Sequence, residues 1–183
     1  VSKLLGASIG GIVWVAQALL EQIERESAAF APNETGGVLM GYGSDTTYQI
    51  TASIGAGPKA VRTRSSFSPD GTWQLDQIAS CYEAASRRIR YLGDWHSHPD
   101  GSSRPSWRDW RTTVATARTA EAYQRHPLLA IVGRRSADWE IGLWHLGRVR
   151  LHPCAVALLP DEQRELAAIE IGVHEAPKEE GDT

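Results

Sequence analysis

Cysteine is scarce in this chain: Cys81 and Cys154 are its two copies, they form no CxxC pair, and nothing marks a secreted, disulfide-stapled scaffold. Both read as small buried hydrophobes. A basic excess is also missing. A net charge of -3 and a pI near 6.1 leave no electrostatic footprint for nucleic acid, and the pairs Arg87-Arg88 and Arg134-Arg135 read as solvated faces. Long apolar runs are absent as well. The longest, Ile9 to Leu20, is broken by Gly10, Gly11 and Gln17 and falls short of the ~20 residues a membrane span requires. No basic residue follows Lys3 in this stretch and no small-residue cleavage site closes it, so a signal peptide is not expected. The reading is a protein of a reduced, cytoplasmic compartment with neither membrane nor nucleic-acid partners. Internal repeats and low-complexity tracts are lacking too.

What remains is an ordinary globular composition. Of 183 residues, 42% are hydrophobic and 22% charged, enough for one domain with a real core. Val15, Leu19, Leu20 and Ile23 fall at helical spacing opposite Glu21, Glu24, Arg25 and Glu26, which predicts an amphipathic helix over 15–30, stopping before Pro32. Gly36-Gly37 then introduces Val38-Leu39-Met40 as a buried strand, with Glu34 where the loop enters it. Tyr48 to Ile54 and Val61 to Phe67 read as strands around the turn-rich Gly55-Ala56-Gly57-Pro58. A helix over Asp70 to Arg88, a strand over Arg90 to Trp95, a loop over Pro99 to Pro105 and a helix over Ser106 to Tyr123 follow. Leu128 to Val132, Trp139 to Leu146 and Val149 to Leu158 supply further strands, with Gly147-Arg148 as a hairpin turn. Asp161 to Ile171 reads as helix, and the acidic last residues as a loose tail. The domain is accordingly drawn over 1–158, with 159–183 as a C-terminal helix and flexible tail.

The chemistry concentrates in Gly93-Asp94-Trp95-His96-Ser97-His98-Pro99. On an extended strand residues i and i+2 project to one face, so the imidazoles of His96 and His98 can reach one point. Pro99 ends the strand, and Ser106 with Asp109 opens a helix whose first turn can present a carboxylate to them. Two imidazole nitrogens and one carboxylate oxygen suit Zn²⁺, and three protein ligands leave a fourth position for water, as in catalytic rather than structural zinc. Plainer readings exist: Ser106-x-x-Asp109 is also a helix-capping pattern, and alternating histidines occur on half-exposed strands. Asp94 is read as a surface acid aimed away from the ligands. His126, His145, His152 and His174 show no ligand spacing and are assigned no chemistry. Trp14, Trp139 and Trp144 read as core, whereas Trp107 and Trp110, flanking Asp109, either pack their helix or line a substrate groove.

His96-Ser97-His98-Pro99, six residues, then Ser106-x-x-Asp109 resembles the JAMM signature of the JAB/MPN metallopeptidases, and Glu34-Thr35-Gly36-Gly37 resembles its upstream half. The resemblance covers roughly residues 10 to 157 and looks closest to the prokaryotic branch. It implies an α/β, cytidine-deaminase-like fold with a mixed, curved sheet flanked by helices. It further implies one zinc with a bound water on His96, His98 and Asp109 and no organic cofactor. Glu34 matches the family's general base, and Ser106 is then the natural donor to the oxyanion. In isolation Glu34 also reads as a solvated loop carboxylate. By analogy the substrate is a peptide or isopeptide bond after the tail of a ubiquitin-like protein, cleaved for maturation or deconjugation. The pathway partners would be ubiquitin-activating-like and ubiquitin-conjugating-like enzymes, in some relatives within antiviral-defence operons. Processing of a sulfur-carrier protein, and a non-catalytic MPN scaffold, are the two alternatives.

Overall fold

The computed structural model describes residues 10–119, 124–136 and 138–160. In chain order the elements are β1 (Ile12–Val15), α1 (Gln17–Phe30), β2 (Gly36–Gly43), β3 (Thr47–Ile54), β4 (Val61–Thr63), β5 (Ser66–Ser68), α2 (Gly71–Ala84) and β6 (Arg90–His98). They continue with α3 (Trp107–Arg118), β7 (Leu128–Arg135), β8 (Asp138–Leu146), β9 (Leu151–Pro153) and β10 (Ala155–Leu158). Eight strands form one mixed sheet in the order β10-β1-β3-β2-β6-β7-β8-β9. Its outermost strands, β9 and β10, are consecutive in the chain. The Cys154 N–H between them donates to Leu143 and the Ala155 N–H donates to Gly11, so the sheet curls into a near-barrel. This is the mixed, curved α/β architecture that the sequence predicts.

Two apolar layers hold the helices on it. Val13, Val15, Leu39, Tyr48, Ile50, Leu92, Trp95 and Val132 pack with Leu20 and Ile23 of α1 on one face. On the other, Val38, Met40, Ile54, Ala85 and Ile89 pack against Trp73, Ile78 and Cys81 of α2. Each large side chain so buried contributes ~1.5–3 kcal/mol. Trp95 and Tyr48, at 0% and 1% exposure, anchor the first layer. Cys154 is buried and Cys81 half-buried, both as free thiols.

Several elements differ from the sequence reading. The apolar stretch at Val15 begins as strand β1 rather than helix, because Ile12 to Val15 pair in parallel with both β3 and β10. Sheet pairing on both sides outweighs local helical periodicity. Val61 to Phe67 is a hairpin, not one strand: β4 and β5 pair antiparallel about a turn at 64–65. Val149 to Leu158 is likewise split, since Cys154 is where the chain leaves β8 for β1. Trp14 is exposed rather than core, because alternation turns Val13 and Val15 inward. Trp139 and Trp144 are half-buried. Residues 161–171, read as helix, and the tail with His174 lie outside the described residues.

Candidate metal centre

Strand β6 brings the two histidines to one place. Gly36 of β2 is the partner of His96 and Val38 that of Asp94, while Leu129 and Ile131 of β7 flank them on the other side. Asp94, His96 and His98 thus stand on the same sheet face as α2 and α3. Glycine at 36 is a steric requirement, since a Cβ there would lie 2.4 Å from both the Phe67 ring and the Trp95 carbonyl oxygen. Its absence lets the β4–β5 hairpin close over the strand end.

Beyond β6 the chain turns, with Gly101 N–H donating to His98 and Arg134 N–H to Gly101, and this pins the loop against β7. Ser106 then caps α3. Its hydroxyl oxygen accepts from the Asp109 N–H at 3.3 Å, and Asp109 Oδ2 accepts from the Ser106 N–H at 2.6 Å, a reciprocal capping box. The cap that the sequence pattern predicts is also what aims Asp109 at the histidines. Asp109 Oδ1 lies 3.1 Å from His96 Nε2 and Oδ2 lies 3.6 Å from His98 Nε2, while the two Nε2 atoms are 3.0 Å apart.

These separations test the donor set against a metal. Ligand atoms ~2.0–2.1 Å from one tetrahedral centre are about 3.3 Å from each other; the Nε2 pair at 3.0 Å and His96 Nε2 to Asp109 Oδ1 at 3.1 Å are close to this, and one ligand atom from each of the three residues lies within 4.8 Å of the others. His98 Nδ1 lies 3.0 Å from the Ser102 carbonyl oxygen, so the Nδ1–H tautomer donates there and leaves the Nε2 lone pair facing the cluster. Burial, and then the neighbouring His96, push His98 below the ordinary imidazole range, favouring the neutral ligand form. For Asp109, burial acts to raise the pKa. The hydrogen bond and charge of His96 and the donors of Ser106 outweigh it and hold the carboxyl well below the usual range. Two neutral imidazoles and a carboxylate, all half-buried or buried, are a fitting zinc set. No other group of three such ligands converges among the described residues. His145 and His152 do face each other across β8 and β9, with ring centroids 5.6 Å apart, and His126 meets the Leu146 carbonyl.

A cleft of about 400 Å³ opens beside the cluster, walled by Phe67 and Ser66 of the hairpin, Thr112 and Arg108 of α3, and Gln74 of α2. Glu34 lines it. The Glu34 N–H donates to Thr63 at 2.7 Å, and Thr35 exchanges hydrogen bonds with Ser97, which fixes this segment to both hairpin and β6. Burial raises the Glu34 pKa above the ordinary 4.5; His96 and Arg108 pull it back and Asp109 adds to the rise. Asp94 also lines the cleft, against the expectation of a surface acid. Alternation over Asp94, His96 and His98 is what places it there, and that signal stood in the sequence. Burial pushes it up to about 6, opposed by the Tyr91 hydroxyl and His96. Trp107 and Trp110 are not among the residues lining this cleft; they stack on each other at 4.4 Å, and Trp110 donates to the Val149 carbonyl. Phe67, Arg108 and Ser97 escaped the sequence reading because their contacts, with Gly36, Ser65 and Thr35, join segments far apart in the chain.

Comparison with known proteins agrees with this geometry. Residues 16–146 match the family described as prokaryotic homologs of the JAB domain. The chain is 35% identical over 135 residues to a protein named probable metalloprotease y4qB from Sinorhizobium fredii, spanning 73% of this chain and 82% of that one. It is 26% identical over 121 residues to a CD-NTase/cGAS isopeptidase of Enterobacter hormaechei, spanning 65% of this chain and 66% of the relative. The solution structure of protein DSY2949 from Desulfitobacterium hafniense shares the fold, with a TM-score of 0.61 at 17% identity over 81% of this chain and 94% of that one. A JAMM-type His-His-Asp cluster on a strand-loop-helix unit, in a chain matched along most of its length, leaves one conclusion: this protein belongs to the prokaryotic JAB family of metallopeptidases.

Proposed function

We propose that this chain is a zinc-dependent peptidase or isopeptidase that cleaves after the C-terminal tail of a ubiquitin-like protein, to mature it or to release it from targets. The observation that carries the reading is the meeting of three zinc-competent ligand atoms with a half-buried glutamate in one cleft. Two relatives named CD-NTase/cGAS isopeptidase support the isopeptide bond as substrate and a setting in antiviral defence. The hairpin, rather than the main sheet, brings a strand edge to the cleft at Ser66 and Phe67, where an extended tail can add by main-chain hydrogen bonds.

His96, His98 and Asp109 would hold the ion. A zinc there would supply Lewis acidity to the scissile carbonyl and to an attacking water, whose pKa falls toward ~7 on such an ion. The Glu34 carboxylate accepts the proton of the attacking water and returns it to the nitrogen of the leaving amine, a dual use for which a raised pKa is suited. The Ser106 hydroxyl oxygen accepts in the helix cap, and its O–H, which favours the Asp109 carboxylate in the resting site, is the donor that would turn to the developing oxyanion. The deciding experiment pairs zinc content with cleavage of a ubiquitin-like fusion by the native protein and by Glu34→Ala. Zinc bound by both and cleavage by the native protein alone supports the reading. Full activity in Glu34→Ala, or no zinc after reconstitution, refutes it.

A further inference from the structure

The cleft reaches past the metal cluster to a carboxyl that the hydrolysis does not use. Asp94 stands on the His96 face of β6, two residues back along the strand, or about 6.6 Å at ordinary strand rise. Val38 and Leu129 are its apolar sheet partners, and the neutral Gln74, Thr112 and Thr113 line the same cavity as Asp94, together with Glu34, Arg108 and the metal-site residues His96 and Asp109. Among the described residues no lysine or arginine forms an ion pair with it. The arginine of this cleft, Arg108, instead donates to the Ser65 carbonyl on the hairpin at 2.9 Å.

A carboxylate in a partly dry cavity without a cationic partner regains its lost hydration when a ligand brings one. We propose that Asp94 is a specificity-determining residue that receives the side chain of a substrate lysine or arginine. An extended substrate advances ~3.3 Å per residue, so a side chain reaching Asp94 belongs to a residue within two of the scissile bond. This assignment rests on the peptidase reading for the identity of that bond. The alternative role for Asp94 is internal, as a carboxyl beside the buried Tyr91 hydroxyl, which makes no hydrogen bond.

The test measures binding of short fluorescent peptides to zinc-loaded protein carrying Glu34→Gln, which slows turnover enough for binding to be read first. Each peptide spans a Gly-Gly tail and the residues after it, with lysine, glutamine or glutamate at one position within two of the expected cleavage point. At one such position lysine should bind about ten-fold more tightly than glutamine, the scale of a charge-assisted hydrogen bond in a partly buried site. Asp94→Asn should reduce that ratio below about two-fold while leaving the glutamine peptide's affinity in place, and Asp94→Lys should turn the preference toward glutamate. Tyr91→Phe, which removes the internal partner only, should retain the lysine preference. Equal binding of lysine and glutamine peptides by protein with Asp94 intact overturns the proposal, and this comparison needs no Asp94 variant to fold. A preference that survives Asp94→Asn, a uniform loss across all peptides, or no binding of any peptide overturns it too. Failure of the peptidase reading is seen separately, as peptides that bind but are not cleaved when Glu34 is restored.

Discussion

Thr35 and Ser97 are joined by reciprocal hydrogen bonds: the Thr35 N–H donates to the Ser97 hydroxyl at 2.9 Å and the Ser97 N–H to the Thr35 carbonyl at 2.8 Å. Both residues are fully buried. This clasp lies between Glu34 on one segment and His96 and His98 on the other, so it sets the distance from the proposed base to the metal cluster. Ser97→Ala leaves the Thr35 N–H without its partner in a dry site, a loss of about 1–3 kcal/mol. Urea titration should show that loss as a lowered midpoint with an unchanged slope, and turnover should fall more than zinc content does.

Metal and proton transfer separate by residue. His96→Ala or Asp109→Ala removes one of three ligands and should abolish stoichiometric zinc measured by elemental analysis. Glu34→Gln should keep the zinc and the melting temperature and lower kcat by about 10²–10⁴-fold, the usual contribution of a positioned base.

Arg108 is one of the charges that lower the pKa of Glu34. A general base works when deprotonated, so activity should rise with pH through the Glu34 titration, at a value above the ordinary 4.5 because burial raises it. Removing a nearby cation makes the proton harder to lose. Arg108→Gln should therefore move the acid limb of the kcat/KM profile to higher pH, and an unmoved limb would show that Glu34 is not the group being titrated.

Glu26 provides a pH test away from the site. Burial raises its pKa, while Arg62 and a hydrogen bond from the Ala56 backbone act the other way. A carboxyl with a raised folded-state pKa holds its proton more tightly folded than unfolded. Its favourable contribution is complete below the unfolded value and is lost as pH rises through the folded one. Glu26→Gln should consequently stabilise the protein at neutral pH, by less than about 1 kcal/mol given its partial exposure, and the difference should vanish in acid. Denaturant melts of both proteins across pH measure this directly.

The metal-competent cluster was legible before any folding was known. His96, His98, Ser106 and Asp109 are close in the chain, so strand alternation and a helix cap suffice to bring them together, and local rules carry that much. The buried strand after Gly36-Gly37 and the positions of α2, β6 and α3 were legible for the same reason. What depends on distant pairing was legible in the folded chain alone. Folding brought Glu34 to the cluster through Ser97, laid Phe67 over Gly36, turned Ile12–Val15 into a strand between β3 and β10, and closed the sheet through Cys154. It also put Asp94 at the floor of a cleft, since whether a side chain on one face meets water or a wall depends on which helix packs there. That packing is fixed by apolar layers drawn from the whole chain, whose summed burial overrides the preference of any short segment.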